Sequence, residues 1–289
     1  MMENILEIRN LTKKYKDFTL NNISFDLPKG YITGFIGPNG AGKSTTIKLI
    51  MNLLKKDNGH IKIFGLDNIK DENEIKNRIG FVYDENHFYE ELTIEEMKRI
   101  IAPMYDQWDD KLFKQFTREF GLVNNKKIKE LSRGVKVKFS LSIALSHHAD
   151  LLIMDEPTSG LDPVIRSELL DILYNVIQDE NKGVFFSTHI TSDLDRVADY
   201  IIMINNGEIM FSRSKDELIE QHAVVKGGLS LLDADVNKYL IGTRKNSFGF
   251  EALTAEKKRM SSLIKAGAVM DKPTLEDIML YYTRREQHV

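Results

Sequence analysis

The decapeptide Gly37-Pro38-Asn39-Gly40-Ala41-Gly42-Lys43-Ser44-Thr45-Thr46 is built to hold phosphate. It meets every fixed position of the pattern G-x-x-x-x-G-K-[ST]. Gly37, Gly40 and Gly42 let successive backbone N–H groups turn inward around an anion. A helix starting near Lys43 would add the positive end of its dipole at the same point. Lys43 would reach the β- and γ-phosphates of a nucleotide, and the Ser44 hydroxyl would enter the oxygen shell of a Mg²⁺ ion. A plain glycine-rich turn is the bland alternative. The strand before the loop and the helix after it argue against that alternative.

A second chemical group stands far downstream. Leu151-Leu152-Ile153-Met154 is a short apolar run suited to a buried parallel strand, and it ends in Asp155-Glu156. Parallel sheets bind ligands at the carboxyl ends of their strands. There Asp155 would hold Mg²⁺ directly or through water, and Glu156 would polarise an attacking water as general base. Two carboxylates can also merely solvate a strand end; the Pro157-Thr158-Ser159-Gly160-Leu161-Asp162 that follows favours the chemical reading. Tyr15, in a Lys-Lys-Tyr-Lys context, offers a face for adenine, with ordinary packing as the other reading.

The elements that must position these groups follow from periodicity. Thr33–Ile36 leads into the loop, and Ile47, Ile50, Met51 and Leu54 mark a helical face after it. Leu6–Leu11 and Ile23–Leu27 alternate as half-exposed strands. Further strands are expected at Gly59–Gly65, Ile79–Tyr83, Gly183–His189 and Tyr200–Ile204, with helices from about Pro163 to Asp179 and over Ser192–Ala198. Apolar strands alternating with helices predict a parallel α/β sheet. From Thr93 to about Ala149 the pattern is helical and charge-rich, opened by a Thr93/Glu96 capping box, and reads as an inserted lobe. Trp108 is expected to be its half-buried anchor, while the adjacent His147 and His148 point to different sides and make a poor chelate. After Asn205-Asn206-Gly207 the signals weaken until a final helix, capped by Thr274, with Leu275, Ile278, Met279 and Tyr282 on one face.

Composition excludes several functions. With 289 residues, 42% hydrophobic and 29% charged, the chain suits one large or two modest soluble domains. A net charge of −3 gives it no overall attraction to nucleic acid. From Ala223 onward 11 Lys and Arg stand against 8 Asp and Glu, too mild an excess to change that. There is no cysteine, hence no disulfide, thiol catalysis or zinc–thiolate site. The N-terminus lacks a basic segment followed by an apolar one, and nowhere do ~18 apolar residues run together, so any membrane role is expected to come through another polypeptide.

Taken in order, the motifs resemble those of the ATPase subunits of ABC transporters, over roughly residues 3–215. Gly37–Thr46 resembles that family's Walker A motif, Asp155–Asp162 its joined Walker B and D-loop, Leu131-Ser132-Arg133-Gly134-Val135 its signature motif, and Ser187-Thr188-His189 its switch-histidine segment. Tyr15 falls where the family stacks adenine. The resemblance implies an α/β fold: a P-loop NTPase, RecA-like core with an N-terminal antiparallel β subdomain and an inserted helical lobe, about 87–150. It would form an ABC ATPase domain over 1–220, followed by a small C-terminal α+β domain over 221–289. It implies ATP and Mg²⁺ as cofactors, bound through Gly37, Pro38, Asn39, Gly40, Ala41, Gly42, Lys43, Ser44 and Thr45. It also implies a head-to-tail dimer in which Ser132 and Gly134 meet the nucleotide held by the opposite chain. His189 would hold the γ-phosphate end, and closure would move an integral membrane permease at the cytoplasmic face of the membrane.

Three positions depart from the family pattern: Arg133 replaces a glycine, Val135 a glutamine, and Asp84 stands where a glutamine is common, so that by this resemblance its carboxylate would touch Mg²⁺ more strongly than an amide, or else point away. The signature variant, the Ile79–Tyr89 stretch and the closing Pro-Thr-Leu-Glu-Asp-Ile helix together resemble small Gram-positive exporters, such as those secreting amphipathic peptides like phenol-soluble modulins. An importer ATPase is the nearest alternative. Chromosome-maintenance relatives would need a coiled coil between loop and signature, and translation-associated relatives two phosphate loops; neither occurs. A noncatalytic scaffold is disfavoured because Lys43, Asp155, Glu156 and His189 are all present. The segment after 223 is expected to contact a second copy, with the permease as its other candidate partner.

Overall fold

The computed structural model describes residues 3–83, 87–264 and 267–284. From the N-terminus, β1 (Asn4–Lys14) and β2 (Thr19–Pro28) pair antiparallel, and β3 (Ile32–Ile36) then runs into the glycine-rich loop and α1 (Lys43–Ile50). β4 (Asn58–Ile63) and β5 (Leu66–Asp67) return beside β1, giving an antiparallel sheet of order β2-β1-β4-β5. The alternation holds in three dimensions. Leu6, Ile8, Ile23, Phe25 and Leu27 are buried, while the outward Arg9 and Asp26 pair at 2.5 Å.

α2 (Glu72–Asn77) leads to β6 (Ile79–Val82). Next come α3 (Ile94–Ile101), α4 (Asp110–Glu119) and α5 (Arg133–Ser146), all placed between β6 and β7 (Leu151–Asp155). These helices have their own core of Ile94, Met97, Phe113, Phe139 and Ile143. Thr93 and Glu96 form the capping box. Trp108 packs against Phe113 at 5.4 Å and donates to Asp110 Oδ1 at 3.0 Å.

α6 (Pro163–Val176) ends short of the expected Asp179, because that side chain accepts from the Asn181 N–H and turns the backbone toward β8 (Gly183–Thr188). α7 (Thr191–Val197), β9 (Tyr200–Asn205), β10 (Glu208–Ser214) and α8 (Lys215–Gln221) follow. The central sheet has the order β10-β9-β3-β8-β7-β6, parallel except for β10. β8 therefore lies between the strand that feeds the phosphate loop and the strand that ends in the carboxylates. Every residue of β3, β7 and β8 is buried, as strands covered on both faces require.

The remaining residues form β11 (Ala223–Gly227), α9 (Ala234–Asn237), β12 (Ile241–Asn246), β13 (Gly249–Thr254), α10 (Lys257–Leu263), β14 (Val269–Asp271) and α11 (Leu275–Arg284). Their strands make an antiparallel sheet, β12-β13-β11-β14. One face packs on α9 and α10 through Val225, Val236, Phe250 and Met260. The other joins the main core: Leu275, Ile278, Tyr281 and Tyr282 share one apolar cluster with Leu194 and Val197 of α7 and Leu218 of α8. The C-terminal layer thus rests on the helix that follows His189. Among the described residues no helix is long and apolar enough to cross a membrane.

Candidate nucleotide site

The loop after β3 is shaped by its glycines. A Cβ on Gly37 would stand 2.2 Å from the Ile204 carbonyl oxygen of β9, so no side chain fits there. Gly42 caps α1 with φ 113°. Lys43 begins that helix and is 6% exposed; its Nζ donates to the Gly37 carbonyl at 2.8 Å. Asn39, Gly40, Gly42, Lys43, Ser44 and Thr45 line a cavity of about 450 Å³, closed on the other side by Glu156, Ser159, His189 and Phe18.

Asp155 ends β7 and is buried. Glu156 follows with φ 48°, a left-handed conformation uncommon for a residue with a side chain. That turn aims its carboxylate back at the loop: Oε1 lies 3.3 Å from Lys43 Nζ, and Oε2 lies 2.9 Å from His189 Nδ1. With Glu156 ionised, Nδ1 carries the proton and donates. Glu156 and His189 directly follow the ends of β7 and β8, Lys43 opens the helix after β3 and its loop, and the three meet through the parallel register of β3, β8 and β7.

The oxygen donors fit a hard cation. Ser44 is exposed and lines the cavity, whereas the Asp155 carboxylate is buried at the end of β7, held by the Ser187 hydroxyl and set behind the cavity lining, so that it would act on a cation from below or through water. Among the described residues no group of three or more His, Cys, Asp or Glu is placed to hold a metal ion by itself. A Mg²⁺ ion here would take one hydroxyl, one carboxylate, and otherwise phosphate and water oxygens, the ligand set it prefers.

Other expected residues lie elsewhere. Tyr15 is 44% exposed and does not line the cavity; the aromatic that does is Phe18, whose ring centre is 6.4 Å from that of Tyr15. Pro38 and Ala41 shape the loop without lining the cavity. Ser132 caps α5, accepting from the Val135 N–H at 3.4 Å, and is exposed without lining this chain's own cavity. Gly134 is buried on α6, where a Cβ would stand 2.7 Å from Ile165 Cγ2. Arg133 is exposed and lies beside Gly160, whose Cβ would stand 3.4 Å from its Nη1. The Asp84 metal assignment lies outside the described residues. Phe18 had no role in the sequence reading, and Ser159 and Ser187 stood there only as unassigned members of the D-loop and switch-histidine motifs. For Phe18 the spacing Tyr-Lys-Asp-Phe gave a signal, while Ser187 needed the pairing of β7 with β8.

The family model of the ABC transporter matches residues 20–159. The chain is 32% identical to the bacitracin transport ATP-binding protein BcrA of Bacillus licheniformis over 212 residues, spanning 72% of this chain and 69% of that protein. It is 32% identical to the lantibiotic transport ATP-binding protein SrtF of Streptococcus pyogenes over 214 residues, 73% of this chain and 92% of that one. A solved ATP-binding subunit of an ABC transporter superposes with a TM-score of 0.68 at 29% identity, covering 75% of this chain and 92% of the other. The chain therefore belongs to the ABC transporter family and is one of its ATP-binding, ATP-hydrolysing subunits.

Proposed function

We propose that this subunit powers export of an amphipathic peptide, lipid or drug-like substrate through a separate integral membrane subunit, from the cytoplasmic face of the membrane. Phenol-soluble modulin-like peptides are the narrowest candidate. The observation that carries the ATPase assignment is the meeting of Lys43, Glu156 and His189 around one cavity. The transport of bacitracin and of lantibiotics by relatives at 32% identity supports a peptide substrate.

In this reading the phosphates lie on the Gly37–Thr45 loop, with Lys43 as the point charge that balances them. Glu156 takes a proton from the attacking water, and His189 holds the Glu156 carboxylate and the γ-phosphate end. Bound Mg²⁺, held by Ser44 and Asp155, would neutralise charge on the β- and γ-oxygens. Ser132 and the Gly134 N–H complete the site of a second copy in a head-to-tail dimer. Supporting this, Ser132 is exposed at a helix N-terminus and does not line its own chain's cavity. Residues 1–220 are the catalytic unit. Residues 221–289 are a smaller unit that contacts the second copy or the permease.

The test is ATP hydrolysis in vesicles that carry the membrane subunit co-purified with this chain, with and without amphipathic peptide. Hydrolysis stimulated by both is expected. Hydrolysis indifferent to the membrane subunit and to peptide would overturn the reading.

A further inference from the structure

Ser187 is the last residue but one of β8 and is fully buried between β3 and β7. Its hydroxyl donates to Asp155 Oδ1 at 2.5 Å and accepts from the Glu156 N–H at 3.1 Å. The same N–H is 3.2 Å from the Ser187 carbonyl oxygen. One side chain thus touches both carboxylate-bearing residues of the site. It holds the carboxylate of one and the backbone of the other, at the point where that backbone enters its left-handed turn.

Packing alone does not explain these bonds. Buried hydroxyls elsewhere in the described residues, on Thr33 and Thr158, make no hydrogen bond at all. The adjacent Thr188 hydroxyl serves only its own turn, accepting from the Ile190 N–H at 3.0 Å. The Ser187 bonds instead run across the sheet to the reacting groups. With one lone pair of Asp155 Oδ1 taken up, the rotation of that carboxylate is fixed, and so are the oxygens it has left for a cation or its water.

Resting on the proposed Mg-ATPase reading, we infer that Ser187 is a positioning residue that sets Asp155 for the metal and Glu156 for the water. It touches neither nucleotide nor phosphate, because it does not line the cavity. Its loss should therefore leave metal-free nucleotide binding intact while loosening the cation and slowing hydrolysis.

Ser187→Ala removes the hydroxyl without adding volume, and Ser187→Thr restores it. Three measurements separate positioning from folding: thermal melting, binding of a fluorescent ATP analogue in EDTA, and Mn²⁺ binding in the presence of ADP followed by electron paramagnetic resonance. For Ser187→Ala the melting temperature should fall only by the few degrees that one lost buried hydrogen bond costs, and the EDTA affinity should match wild type. Mn²⁺ affinity and kcat should each fall about tenfold or more, the usual scale for a residue that orients a metal ligand. Ser187→Thr should recover most of both. Wild-type Mn²⁺ affinity and kcat in Ser187→Ala would overturn the positioning role alone, as would parallel loss of stability and EDTA binding. If the alanine chain does not fold, Ser187→Cys, with nearly the same volume and a weak donor, carries the same comparison. A wild-type chain that neither hydrolyses ATP nor binds Mn²⁺ with ADP would instead overturn the Mg-ATPase reading, and this role with it.

Discussion

Lys43 Nζ stands 3.3 Å from Glu156 Oε1, with the two side chains 6% and 13% exposed. The cation assigned to phosphate is thus also held by the carboxylate assigned to water. An arriving phosphate competes with Glu156 for Lys43, and the carboxylate it displaces keeps His189, 2.9 Å away, as partner.

Removing the cation should therefore cost affinity directly. Lys43→Ala should weaken ATP binding by at least about tenfold, the scale of a hydrogen bond to a charged group. Equilibrium binding of a fluorescent ATP analogue checks this. An affinity within twofold of wild type would remove Lys43 from the phosphate site.

Phe18 and Tyr15 divide the adenine question. Only Phe18 lines the cavity, so Phe18→Ala should raise the ATP dissociation constant several-fold, in line with roughly 1 kcal/mol for an aromatic stack. Tyr15→Ala should have the smaller effect. Titration of both variants with ATP and with tripolyphosphate decides it, because the second ligand has no base to stack.

His147 makes stability depend on pH. Burial pushes its pKa down from 6.5 to about 4, with the backbone of His147 and Asn77 offsetting only part of that desolvation; the ring stacks on Tyr105 at 3.8 Å. A base whose pKa is lower in the folded chain than in the unfolded chain contributes fully above the unfolded value. That contribution is lost as pH falls from about 6.5 toward 4, in total roughly 3 kcal/mol at 1.36 kcal/mol per unit. His147→Phe keeps the stack and removes the titration. Its melting temperature should fall less than wild type's between pH 7.5 and 5, and equal falls would contradict the account.

Much of this was legible because the chemistry is local. The loop spells its own conformation, as the Gly37 contact with Ile204 makes plain, and Leu151–Met154 announces a strand buried on both faces. The left-handed turn at Glu156 was not legible, since it depends on Ser187 from a strand paired through register. Nor was the layout of the C-terminal sheet. β14 has three residues, α9 has four, and β12 carries the exposed Arg244, Lys245 and Asn246, so periodicity has little length in which to appear. The packing of α11 on α7 is a contact between distant segments that no pattern in either one encodes.

The central claim is that Glu156 activates water while Lys43 holds phosphate, and Glu156→Gln tests it most directly. The amide keeps the shape of the side chain but accepts a proton poorly and no longer competes as an anion for Lys43. Measured on one preparation, Mg-ATP affinity should be equal to or tighter than wild type, and kcat should fall by about a hundredfold or more, within the usual range for a general base. An unchanged hydrolysis rate would contradict the account.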